Sequence, residues 1–374
     1  MAERAILMVP GFDRVQREQI RDALANFILC DAQAYKVSET QDRPSAGKSY
    51  VGLNAISRDD PSKALDLRVY EVFWSDIIPD YSAESTWEKF KRATMLVAYW
   101  GLYALRSSRP AIPSWSRVWL IGAGLLLLLW YLLVTVAFLN LIASNPSLIP
   151  EPIADALSRL RINVENISDF WSDVLAFWPV AFILLLVGNG RLETVANIAQ
   201  FAKVYLGDER SAPMETSLRS KLRKRATDQL DIILGDPDVE EVFVVAHSFG
   251  GAIAVDALAE FGSDLPRVHL FTWGTVLGVF AHQQDWIRRD LEHLQDAKPS
   301  LASWTDYRIR RDSLAVPVPK ISEKAQITHV DLPAITTLPL PSQQAHNAYY
   351  SSQKAIEALL VAVPPVSAAQ VAGD

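Results

Sequence analysis

The sequence predicts an α/β fold: a mostly parallel sheet with helices on both faces, interrupted by a membrane-associated insertion carrying two apolar helices. Three observations lead there. Short apolar runs rich in β-branched residues alternate with stretches of helical spacing, the pattern of strands joined by crossover helices. One run, Val242-Phe243-Val244-Val245-Ala246, passes through His247-Ser248-Phe249-Gly250-Gly251 into the helix former 252–259, so a serine sits at the tip of a strand-to-helix turn. Third, about 25 residues over 118–142 pass without a charge.

The 374 residues suffice for one α/β domain with insertions. A net charge of −7 argues against a nucleic-acid surface. Half the residues are hydrophobic and 11 are tryptophan, a composition suited to membrane contact. Cys30 is the only cysteine, so no intrachain disulfide forms, as fits a reducing compartment. The first residues show no apolar core with a cleavage site, and no secretory signal peptide is expected.

In chain order, Ala5–Val9 reads as a buried strand broken by Pro10-Gly11, and 14–29 has helical spacing. Residues 34–63 are polar and read as an irregular surface excursion. Leu67–Trp74 is a second strand. Met95–Leu105 is apolar but too short to span a bilayer, and reads as an interfacial or core helix. The run over 118–142 gives roughly 37 Å of helix, enough to cross a hydrocarbon core. A second uncharged run over 174–190 contains Pro179 and reads as a second crossing, with a re-entrant or interfacial helix as the alternative. Two crossings return the chain to the side it left, as one sheet built from both flanks requires. The expected parts are therefore 1–92, an insertion over 93–210, and 211–374.

Further on, 214–234 reads as an amphipathic helix whose Arg219, Lys221, Arg223, Lys224 and Arg225 face either solvent or anionic lipid. Strands are expected at 268–275, 307–310 and 327–330, and helices at 280–294 and 352–363.

A serine hydroxyl becomes a nucleophile when a base takes its proton and an acid orients that base. In the strand–serine–helix layout the order is serine, acid, histidine. His269 lies in a strand, and His282 and His293 lie on a charged helix; His329 sits on the last strand; His346 follows in a loop and is favoured as the base. Asp312, in the loop after 307–310, is favoured as the acid over Asp306, Asp331 and Asp285; an ion pair with Arg310 or Arg311 is its structural alternative. His247 is expected to point away from the serine and pack.

At these residues the chain resembles the α/β-hydrolase superfamily, in particular its serine esterases and lipase-like members. Ala246 through Gly251 is similar to the elbow of bacterial lipases, with alanine at the first small position. Val9-Pro10-Gly11-Phe12 resembles an oxyanion loop, with proline where histidine is common, and Trp304 through Asp312 resembles the segment that carries the acid. His346-Asn347-Ala348-Tyr349-Tyr350 resembles a histidine–aspartate–tyrosine stretch, with Asn347 in place of the acid. The resemblance covers about two-thirds of the chain, not the apolar insertion. It implies an α/β-hydrolase-like sheet opening at the third strand of the full fold and shorter than usual. It also implies Ser248 as nucleophile, His346 as base, Asp312 as its partner, and backbone N–H groups of Phe12 and Phe249 as the oxyanion hole. No cofactor or metal is expected.

The function expected is a membrane-anchored serine hydrolase of carboxylic esters, lipid-like ones included, working through an acyl-enzyme. The alternatives are a thioesterase or amidase on the same triad, or a non-catalytic membrane scaffold on a hydrolase fold. Partners would be the bilayer and an amphiphilic or small ester. Arg106, Arg109 and Arg117 before the first span, and Arg191 and Lys203 after the second, outweigh Arg159 and Arg161 between them. That bias places the globular part on the cytoplasmic side, and the resemblance to bacterial proteins makes the membrane a bacterial inner one.

Overall fold

The structure, a computed structural model, describes residues 3–40, 49–81, 84–85, 88, 91–92, 95–96, 98–100, 196–209, 216–297, 300–310, 312, 314–334 and 343–361. The chain divides into two compact units: Met1–Asp80, Arg109–Ser116 and Phe201–Asp374 form one, and Tyr81–Ser108 with Arg117–Gln200 the other.

The first unit is α/β. Its strands are β1 (Glu3–Val9), β2 (Tyr35–Glu39), β3 (Val51–Ser57), β4 (Ala64–Glu71), β5 (Val239–His247), β6 (Val268–Trp273), β7 (Ser303–Ile309) and β8 (Ile327–Leu332). They form one eight-stranded sheet in the order β2-β3-β4-β1-β5-β6-β7-β8. Every pair from β4 to β8 is parallel. The β2–β3 and β3–β4 pairs are antiparallel.

Burial follows this topology. The central strands are covered on both faces: Ala5 through Val9 and Val242 through His247 are all buried. One face packs on α1 (Gln19–Asp31) and the C-terminal segment, with Ile6, Met8, Phe243 and Val245 against Leu24, Ile28, Ile356 and Leu360. The helices α2 (Leu218–Leu234), α3 (Gly250–Leu258), α4 (Leu277–Gln283) and α5 (Asp285–Asp296) also belong to this unit, as do the short α6 (Gln343–Asn347) and α7 (Gln353–Ala358).

Several expectations need correction. The stretch read as an irregular excursion supplies two strands, β2 and β3, of the eight in the sheet. These antiparallel strands lie toward the edge and bury only alternate residues such as Leu53 and Ala55, which leaves no apolar run to read. The helix expected over 280–294 is two helices, because Gln284 adopts an extended conformation (φ −135°, ψ 124°). Asp306 lies inside β7, not before it. The closing helix is short, Gln353–Ala358.

In the second unit, the Arg92 guanidinium donates to Glu84 (2.9 Å) and Asn197 (2.7 Å) and lies 4.7 Å from the Tyr81 ring centroid. Among the described residues no helix is long and apolar enough to cross a membrane. The spans expected over 118–142 and 174–190 lie outside the described residues.

At the amino ends of the strands, Arg4 is buried. It donates to Glu241 (2.7 Å) and to the carbonyls of Leu359 (2.8 Å) and Val361 (3.1 Å), and its guanidinium lies 4.1 Å from the Phe243 ring centroid. It therefore staples β1 to the end of the segment that follows α7. Arg4→Met keeps the bulk but strands a carboxylate and two carbonyls. It should lower unfolding free energy by about 2–4 kcal/mol, measured by chemical denaturation.

Candidate active site

Strand order reverses at β1: β4 lies on one side of it and β5 on the other, so the carboxyl ends of β1 and β5 flank a topological switch point. Open α/β sheets form their crevices there. Two loops meet at this point, Pro10-Gly11-Phe12 after β1 and Ser248-Phe249 after β5.

Ser248 has φ +53°, one of three non-glycine residues with positive φ among those described. The left-handed conformation costs a non-glycine residue energy and marks a sharp turn held by its surroundings. Here the Ser248 N–H donates to the Trp273 carbonyl on β6 (3.0 Å), and the Gly251 N–H to the Ser248 carbonyl (3.2 Å). Two glycines permit the fit. A Cβ on Gly250 would collide with the Val9 carbonyl oxygen, and one on Gly11 would lie 2.8 Å from Ser248 Cβ. The first turn of α3 therefore sits directly on the β1 loop, and Ser248 is left half-buried. The N–H groups of Phe12 and Phe249 follow this contact on either side. Among the described residues neither donates to another group.

The rings of Phe12 and Phe249 join one aromatic cluster. Phe201 lies 5.0 Å from Phe12 and 5.2 Å from Phe249, and Trp74 stacks on Phe201 at 5.5 Å. Trp74 Nε1 donates to the Pro10 carbonyl (3.3 Å). On the outer side of α3, buried Asp256 accepts from Arg219 of α2 (2.6 Å) and from the Tyr205 hydroxyl (3.1 Å). Arg223, Lys224 and Arg225 also pair with acids of this unit, so most of the basic face on α2 is committed to protein partners.

His346 lies in α6 rather than a loop. Its ring centroid is 4.8 Å from that of His247, and both residues are buried. Its Nδ1 is 2.9 Å from Asp312 Oδ2. Asp312 also accepts from the Tyr349 hydroxyl on Oδ2 (3.0 Å) and from the Leu314 N–H on Oδ1 (3.0 Å). Burial pushes the Asp312 carboxyl up, but these donors, led by His346, outweigh it and leave the pKa below the usual carboxylate value. An ionised Asp312 makes Nδ1–H the donor, so the neutral ring carries its lone pair on Nε2. That Nε2 is buried and has no hydrogen-bond partner.

The other candidates are engaged elsewhere. His329 Nδ1 is 3.0 Å from Asp306, which also accepts from Thr272 (2.7 Å). This pair joins β7 to β8, and β8 is three strand spacings from β5, about 14 Å. Asp331 pairs with Arg308 at 2.8 Å. Asp285 opens α5. Arg310 pairs with Asp331 at 4.0 Å; Arg311, the other partner set against the Asp312 reading, lies outside the described residues.

His247 was expected only to pack. It also donates from Nε2 to the His346 carbonyl (2.8 Å), which fixes the backbone of the base. Burial, with His346 adding in the same direction, drives its pKa down to about 3, so the ring stays neutral. The sequence signal for this role is its place next to the serine.

No protein-family model, curated protein or solved structure matches the chain.

His247 is held neutral down to about 3 and buried His269 down to about 4, whereas an unfolded histidine takes a proton near 6.5. The unfolded state binds more protons in between, so this contribution is complete above pH 6.5 and is lost as pH falls toward 4. In denaturation series from pH 7.5 to 4.5, the pair His247→Gln and His269→Asn should flatten the acid-side fall in stability. The expected change is up to about 1.4 kcal/mol per pH unit for each histidine. An unchanged slope contradicts the neutral assignment.

Proposed function

We propose that the chain is a membrane-anchored serine hydrolase of the α/β-hydrolase type that cleaves carboxylic esters, amphiphilic ones included, through an acyl-enzyme. One observation supports this above the rest: His346 has its Nδ1 locked by a buried carboxylate and its Nε2 buried and unpartnered, and its ring lies 4.8 Å from that of His247, the residue that precedes the left-handed turn at Ser248. A packing histidine gains nothing from an orphaned ring nitrogen. A general base needs that lone pair free.

In the proposed reaction Ser248 Oγ attacks the ester carbonyl carbon, and its proton passes to His346 Nε2. Asp312 stabilises the imidazolium while staying ionised. The carbonyl oxygen becomes an oxyanion held by the N–H groups of Phe12 and Phe249, with the start of α3 adding its positive end. The C–O bond to the alcohol breaks as His346 returns the proton to the leaving oxygen. Water, deprotonated by the same Nε2, then attacks the acyl carbon, releasing the acid and restoring Ser248. None of these steps calls on a metal or cofactor.

The membrane anchor rests on the uncharged runs over 118–142 and 174–190, and the cytoplasmic side on the flanking arginines. A site tethered at a bilayer receives amphiphilic esters without their transfer through water.

A fluorophosphonate probe should label the full chain and should fail on Ser248→Ala. Against p-nitrophenyl esters of rising acyl length, Ser248→Ala should lose at least about 10³-fold in kcat. Labelling that persists in Ser248→Ala contradicts the assignment, and a hydrolytic preference for thioesters or anilides over oxyesters replaces the ester reading.

A further inference from the structure

The next group along from the acid–base pair is Tyr349, three residues after His346 and fully buried. Its hydroxyl is used twice: it donates to Asp312 Oδ2 (3.0 Å) and accepts from the Ile309 N–H (2.9 Å) at the end of β7. Nothing is left for it to rotate toward. The ring is also held, since a Cβ on Gly274, whose φ is +57°, would lie 2.5 Å from Tyr349 Cε2. His247 packs on it with ring centroids 5.8 Å apart. Burial, reinforced by the Asp312 charge, raises the phenol pKa far above its ordinary value, so it remains a donor at any working pH.

We propose that Tyr349 is a positioning residue for the acid–base pair: its hydroxyl, held between the Ile309 N–H and Asp312 Oδ2, fixes the carboxylate beneath His346 and moderates its pull on the imidazole. This deepens the hydrolase reading and rests on it. Tyr349 and His346 bond the same carboxylate oxygen. The hydroxyl therefore both sets where that oxygen lies and withdraws negative charge from it. A carboxylate with one donor fewer holds an imidazolium more strongly, which makes the histidine a stronger base in the resting enzyme and a weaker acid toward the leaving group. The titratable groups around the hydroxyl are Asp312 and His346, with His247 against the ring and Asp306 adding its charge.

The test is the titration of the His346 imidazole, followed by nitrogen NMR of the full chain labelled in histidine, with the kcat/KM profile for p-nitrophenyl butyrate beside it. Tyr349→Phe should raise the His346 midpoint by about half to one unit, move the acid limb of the profile with it, and lower kcat about tenfold with KM nearly unchanged. Site-specific 3-fluorotyrosine at 349 keeps the shape and donates more strongly, so it should move the midpoint the opposite way; it serves if Tyr349→Phe does not fold. Arg4→Met, at the far ends of the strands, should lower stability without moving the midpoint. A midpoint that stays put in both Tyr349 variants overturns the proposal. Loss of fluorophosphonate labelling in the unaltered chain would instead sink the hydrolase reading, and the NMR midpoint tells the two failures apart.

Discussion

The contact on which the site depends is the seating of α3 on the β1 loop. A helix placed straight after a parallel strand must come back across the sheet. Here it does so with Gly250 against the carbonyls of Val9 and Pro10. The turn packed beside that contact holds Ser248 in the left-handed conformation, and Gly11 of the β1 loop lies against its Cβ. Any larger residue at 250 would lift the helix off the β1 loop and loosen this turn. Ala246, beneath the turn and fully buried, meets the same demand for a small side chain on the strand.

Around that contact the chain has built a buried polar ladder at the carboxyl ends of the strands. Ile309 N–H, Tyr349, Asp312 and His346 form its run, and His247 braces the His346 backbone from below. A buried carboxylate without partners would cost several kcal/mol or take up a proton. Three donors keep Asp312 ionised. The end of the ladder is Nε2 of His346, the atom without a partner. The network is satisfied up to that one open acceptor, and His247, which bonds the His346 carbonyl, is the residue that leads into the Ser248 turn.

Much of this was legible in residue patterns because central parallel strands are buried on both faces and read as unbroken apolar runs; β1, β5 and β6 are of that kind. The antiparallel strands β2 and β3 were not, since few of their residues are buried and Gly52 and Asn54 look like loop residues. His346 and Asp312 emerged from chain order and local setting, and the fold brings their side chains together. Asp306 and His329 form an equally short pair, and only sheet order, which no local pattern carries, separates them from the serine. The role of His247 was hidden because strand alternation describes a side chain's face, not the loop that folds over it. Tyr349 left a faint mark in its spacing of three from His346, one helical turn.

The most direct measurement is an experimental structure of the full chain after reaction with an alkyl fluorophosphonate. The account predicts phosphorus bonded to Ser248 Oγ and its phosphoryl oxygen within about 3 Å of both the Phe12 and Phe249 nitrogens, with His346 Nε2 facing the Ser248 oxygen. A phosphonate on another residue, or one on Ser248 whose phosphoryl oxygen faces away from those two N–H groups, would contradict it.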